Sequence, residues 1–173
     1  MNKRTRLLAE KYTLYGLMML GLFLVQTDPY LLYLGDCKPV LVLPMAVAIA
    51  MLDGELVGGL FGLAAGLLCD ASGTMIFGFN SMLYMSACVA VGLVVIYYMQ
   101  PSWKNNVLFT GVIFSLRLLM EYFFYYVMWD YEGISRVLLG RMLPALLYTL
   151  AVTPAVFWVV QKVRERFAKK LES

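Results

Sequence analysis

Between Tyr12 and Val160 the chain passes through six apolar stretches, 12–27, 39–52, 56–69, 81–99, 107–128 and 137–160, parted only by short polar breaks. This succession constrains the fold more than any single motif. A water-soluble fold needs polar residues to cover its outside, yet here 62% of residues are hydrophobic and 14% charged. The surplus is sufficient for a bundle whose outer surface faces lipid as well as its interior. The pattern predicts an all-α integral membrane protein, a six-transmembrane-helix bundle. No linker long enough to divide it appears, so residues 1–173 read as one transmembrane domain. The first stretch follows a basic start, as a secretory signal would, but it shows no small-x-small cleavage site and further spans follow. The second is shorter than the roughly 20 residues that a perpendicular helix needs to cross the hydrocarbon, and Pro44 lies within it. A kink or an incomplete crossing is expected there.

Charge gives the orientation. Lys3, Arg4, Arg6, Lys11, Lys104, Lys162, Arg164, Arg166, Lys169 and Lys170 fall on the side that holds both termini if the spans are six; the opposite side has Lys38, Arg136 and Arg141, with Asp28, Asp36, Asp70, Asp130 and Glu132. Positive residues stay in the cytoplasm, which predicts cytoplasmic termini. The net charge of +3 is thus a topology signal rather than a nucleic-acid footprint, since no soluble domain carries a basic surface. Trp103, Trp129, Tyr97, Tyr98, Tyr125, Tyr126 and Tyr131 sit at stretch edges, where amphipathic rings suit the headgroup zone.

There is no histidine, and Cys37, Cys69 and Cys88 lack metal-ligand spacing. Zinc sites and histidine-based triads are excluded on these grounds. Cys37 and Cys69 could share the outer face and pair, the alternative being small buried apolar side chains. No nucleophile motif or phosphate loop accompanies the charged residues, so neither catalysis nor a cofactor is expected.

Two features within the spans stand out. Gly54, Gly58, Gly62 and Gly66 recur every four residues on one helical face, with Gly59 beside it. Small residues in register let another helix backbone approach closely, either within the protein's own bundle or from a partner's helix. Asp70 extends the spacing to the outer end of the third stretch, as a carboxylate held in a polar pocket or by the amides of 72–74, or as a solvated residue that stops the helix. The second feature is Arg117, near the middle of the fifth stretch, with Glu121 at i+4 on the same face, where the two can pair. Arg141, near the outer end of the sixth, could reach the level of Glu121. Asp70, Arg117, Glu121 and Arg141 therefore suggest either a buried ionic clamp or an outward-opening polar cavity for a small ligand or a partner's polar residue.

The sequence Gly58-Gly59-Leu60-Phe61-Gly62-Leu63-Ala64-Ala65-Gly66-Leu67-Leu68-Cys69-Asp70, followed by Gly73, Gly78 and Asn80, resembles the signature region of the MreD family of rod shape-determining proteins. Length, span number, basic ends and Pro44 agree with the resemblance over nearly the whole chain. It implies a non-enzymatic component of the elongasome (Rod complex) in the bacterial cytoplasmic membrane, supporting lateral peptidoglycan synthesis and rod shape. The implied partners are the single-span protein MreC and, through the complex, MreB, RodA and a class B penicillin-binding protein. MreD proteins are also similar in fold to the substrate-binding S components of energy-coupling-factor vitamin transporters, which supply the alternative function. Those carry small-residue contacts on the first span, whereas here Gly16 and Gly21 are differently spaced.

Overall fold

Among the described residues, each of the six apolar stretches coincides with one helix. The computed structural model describes residues 3–28, 39–72, 77–123 and 143–172. Among them every regular element is helical: α1 (Lys3–Thr27), α2 (Val42–Asp53), α3 (Glu55–Ala71), α4 (Phe79–Tyr98), α5 (Trp103–Tyr122) and α6 (Leu143–Glu172). Three of these are long and apolar enough to cross a membrane, over Thr5–Thr27, Phe79–Tyr98 and Leu143–Lys170. Their flanks are apolar on the outside: Leu17, Leu24, Leu56, Leu60, Met82, Ile96, Leu108, Leu119 and Trp158 all point away from the core. Hydrocarbon satisfies such a surface; water would not.

The organising element is α2. Every residue from Val42 to Leu52 is buried, and the helix packs against each of the other five. A helix that is apolar all round belongs at the centre of a bundle. Its 12 residues rise only ~18 Å against a hydrocarbon thickness of ~30 Å, so the helical part is shorter than a full crossing. Pro44 causes no kink: it lies in the first turn of α2, where a missing N–H costs no helical bond.

Side-chain contacts give the helix directions. Lys11 of α1 meets Asp53 at the end of α2, while at the opposite end the Gln26 Oε1 of α1 accepts the N–H groups of Leu41 (2.8 Å) and Val42 (3.4 Å). Thus α1 and α2 are antiparallel, and Gln26 caps a helix that has no side-chain cap of its own. In α6, Thr149 Oγ1 accepts the N–H of Val40 and Arg164 reaches Asp53, so α6 runs parallel to α2. It continues as helix through the basic tail, twelve residues past the stretch that hydropathy marks.

The α2–α3 reversal is made by one residue. Gly54 has φ 95° and ψ 176°, a conformation closed to a side chain; its N–H closes α2 on Ala50 O and its carbonyl opens α3 by accepting from Gly58 N. This corrects the reading of Gly54 as a packing residue, because a Cβ there would meet only Ile96 Cδ1 at 4.0 Å. The remainder of the series does pack. An added Cβ would come within 2.3 Å of Ala50 Cβ at Gly58, 2.6 Å of Tyr84 O at Gly62 and 2.3 Å of Ser81 Cα at Gly66. The face is therefore filled by α2 and α4 of the same chain, leaving no room for a partner's helix. Gly59 against Val89 and, on α4, Gly92 against the Glu55 backbone complete the contact.

Candidate functional site

Two polar assemblies lie within the bundle, at opposite ends. The first is built on Asp70, the penultimate residue of α3, which is 3% exposed. Its Oδ1 accepts from Asn80 N (3.2 Å) and Nδ2 (2.9 Å), and its Oδ2 from Gly78 N (3.0 Å), Ser81 N (3.2 Å) and Ser81 Oγ (2.6 Å). Three of the five donors are main-chain N–H groups of the first turn of α4, which has no local side-chain cap. Asp70 thus caps a helix eight to eleven residues further along the chain, and its negative charge suits the positive end of the helix dipole. The expected partners at 72–74 are replaced by Gly78, Asn80 and Ser81, and the solvated-loop alternative is excluded by burial. Close approach at Gly66 brings Ser81 within reach, so the glycine spacing and the carboxylate act as one device: the first sets the distance between α3 and α4, the second locks their register.

Beneath this cap lies a set of buried polar groups. Tyr84 on α4 is fully buried, Arg117 on α5 is 8% exposed, and Cys69 on α3 is a free thiol 3% exposed. Cys69 and Tyr84 lie within the electrostatic reach of Arg117, and Gln26 is close to Cys69. The Tyr84 hydroxyl and Arg117 Nε approach without a well-aligned hydrogen bond and both lack a partner. Further along the same face of α5, Asn106 and Thr110 are fully buried, with both amide atoms of Asn106 and the Thr110 hydroxyl unpartnered. Asn106, Thr110, Ile113 and Arg117 form one stripe at helical spacing.

Of the four residues of the expected clamp, the three described ones, Asp70, Arg117 and Glu121, form no ion pair with one another. The ion pairs among the described residues are Arg6–Glu10, Lys11–Asp53 and Arg164–Asp53. Asp70 spends its acceptors on α4, and Arg117 and Glu121 do not come within ion-pair distance although they are one turn apart. The i+4 spacing brings two side chains onto one face but leaves their rotamers free, and Arg117 turns over the Phe114 ring instead, 5.7 Å from its centroid. Arg141 lies outside the described residues, as does Cys37; Cys69 is not in a disulfide.

The second assembly, at the opposite end, was not foreseen from the sequence. Lys11 Nζ and Asp53 Oδ1 are 2.5 Å apart with side chains 10% and 8% exposed, and Arg164 Nε stands 3.7 Å from the same oxygen. Lys11 also lies over the rings of Tyr12 and Tyr15, 5.7 and 5.5 Å from their centroids. One carboxylate therefore ties α1, α2 and α6 together. The only signal in the sequence was a lysine at the very edge of an apolar run and an aspartate at the turn after the most apolar one. Between this tie and the Gln26 cap, α1 buries Tyr15 and Met19 but leaves one flank open. Gly16 and Gly21 have nothing within 4 Å of an added Cβ, and apolar grooves of about 380 Å³ (against α3, at Phe61, Ala64 and Leu68) and 330 Å³ (against α2 and α6, at Met45, Val156 and Val160) flank the helix.

Among the described residues no three His, Cys, Asp or Glu side chains gather to hold a metal ion. Comparison with known protein families, curated proteins and solved structures gives no match. Fold and site together define a protein that is all-helical among the described residues, with three helices long and apolar enough to cross a membrane, tied internally by a capping carboxylate at one end and a three-helix ion cluster at the other.

Proposed function

We propose that this chain is a non-enzymatic component of a bacterial elongasome, of the MreD type, which supports lateral peptidoglycan synthesis by binding the single transmembrane helix of an MreC partner. The observation that carries the reading is the α3–α4 hairpin. Of the residues behind the resemblance, Gly62, Gly66, Asp70, Gly78 and Asn80 build this hairpin, and Gly58 seats α3 on Ala50 of α2. A pattern with a physical task at each position is harder to meet by chance than glycine content alone. On this reading the protein lies in the cytoplasmic membrane with six spans and both termini in the cytoplasm, where its basic residues gather.

Since α2 and α4 fill the glycine face, the partner's helix must use another surface. The open flank of α1 offers one: Gly16 and Gly21 leave the backbone accessible, and small residues favour close helix association in lipid. The test is a mild-detergent pull-down of the tagged chain from its native membrane. Recovery of MreC with the wall-synthesis enzymes, weakened by Gly16→Leu and Gly21→Leu in a folded protein, is the expected result. A second reading, an S component of a vitamin transporter, draws support from the unpartnered polar groups around Arg117; recovery of transporter ATPases in place of MreC would establish it and remove the first.

A further inference from the structure

Arg117 is a buried cation without a counter-ion among the described residues. Its guanidinium stays protonated in any protein environment, and an ionised group in a low-dielectric interior is costly until an opposite charge reaches it. The carboxylates nearest in sequence do not serve. Asp70 already accepts five hydrogen bonds from Gly78, Asn80 and Ser81, and Glu121 stands outside ion-pair distance. Glu121 acts on the guanidinium only across that gap; the other groups around it are polar and uncharged, the fully buried Tyr84 hydroxyl, itself without a partner, and the Cys69 thiol. The set offers several donors and, among the described residues, no anionic acceptor within ion-pair distance.

From this imbalance we infer that Arg117 and Tyr84 form a binding site for a phosphate-type oxyanion, which the guanidinium grips through its fork of N–H groups while the tyrosine hydroxyl donates beside it. A fork of parallel donors matches an oxyanion in geometry as well as charge. The depth of the site bears on the source. Arg117 is fourteen residues beyond Trp103 at the start of α5, a rise of ~21 Å, or about two thirds of a ~30 Å hydrocarbon layer. That level lies in the half of the layer nearer the C-terminal end of α5, so the headgroups of that leaflet are the nearer ones. Both an anionic phospholipid headgroup and a free phosphate present the required group. The proposal does not depend on the cell-wall assignment.

The test uses the purified full-length protein in mild-detergent micelles, with thermal unfolding as the readout. The probes are phosphatidylglycerol against phosphatidylcholine, and inorganic phosphate against sodium chloride at equal ionic strength. The expected result is a saturable rise in midpoint with phosphatidylglycerol, phosphate or both, which Arg117→Gln abolishes. Arg117→Lys, which keeps the charge and loses the fork, weakens apparent affinity roughly tenfold. Tyr84→Phe removes only the hydroxyl, retains the packing volume and weakens binding several-fold; it carries the test if Arg117→Gln does not fold. A response to the lipid alone assigns the site to a headgroup, and a response to phosphate as well assigns it to the oxyanion itself. No shift beyond the controls, or a shift that persists in Tyr84→Phe and in every folded Arg117 variant, overturns the proposal.

Discussion

Gly66→Ala adds a single methyl group, and the structure sets out what that group would meet. A Cβ at this position lies 2.3 Å from Ser81 Cα, 2.5 Å from Ser81 N and 2.6 Å from Asn80 O, all main-chain atoms that no rotamer change can move aside. Ordinary carbon–carbon contact begins near ~3.5 Å, so α3 and α4 must part locally by about 1 Å. That displacement carries the Asn80 and Ser81 N–H groups, both now 3.2 Å from Asp70, beyond hydrogen-bond range. Overpacking of this kind costs about 1–3 kcal/mol, and main-chain hydrogen bonds to a buried carboxylate add about 1.5 kcal/mol or more each. The expected loss is about 4–6 kcal/mol, or roughly fifteen degrees in midpoint for a domain of this size. The assay is thermal unfolding of the purified protein in detergent, with Gly16→Ala and Gly21→Ala as internal comparisons. Those two positions have nothing within 4 Å, and alanine there is expected to be neutral or to stabilise by up to ~1 kcal/mol through helix propensity. If Gly66→Ala unfolds at the same temperature as Gly16→Ala, the claim that glycine spacing sets the α3–α4 distance is wrong.

Asp70→Asn keeps the shape of the cap but offers one acceptor where the carboxylate offered two; whichever way the amide turns, either the Asn80 pair or the Gly78–Ser81 trio of donors is lost. The expected cost is about 2 kcal/mol by the same unfolding measurement, and a wild-type midpoint would show that the cap is dispensable. Lys11→Met leaves the buried Asp53 carboxylate with only the more distant, half-exposed Arg164, and is expected to destabilise by about 3 kcal/mol. The double change Lys11→Met/Asp53→Leu should recover most of that loss, because the uncompensated charge is gone; a double variant as unstable as the sum of the singles would argue against an ionic tie. Single cysteines placed at Lys3 and Lys170 in a background without native cysteines should resist an impermeant thiol reagent in intact cells and react after lysis. Labelling of either end in intact cells would refute the cytoplasmic placement of the termini.

The reading by sequence located every helix among the described residues but not its limits or its role. Hydropathy marks where apolar residues are dense, which is why the basic continuation of α6 past Val160 was left out. Hydropathy also gives no hint that α2 is central, because an apolar helix facing lipid and one facing five neighbours have the same composition. The four-residue glycine spacing was legible as a close-approach face, yet whether a neighbour within the chain or a partner lay over it was not. Gly54 shared that spacing and proved to be the turn, since periodicity records which way a residue points and not the backbone angle it adopts.

The site divides in the same way. That Asp70 and Arg117 are costly inside a membrane was determined by the sequence alone, through residue type and position, and so was the all-helical class, through the length and spacing of the apolar stretches. Which groups answer those charges was decided by tertiary structure: the first turn of α4 for Asp70, no carboxylate within ion-pair distance among the described residues for Arg117, and an ion cluster at Asp53 whose members Lys11 and Arg164 stand on α1 and α6. The physical reason is one of range. Hydrophobic periodicity is a property of adjacent residues and can be read along the chain, whereas a hydrogen bond or ion pair depends on atoms within a few ångströms, and residues distant in sequence reach that separation only when the helices have packed.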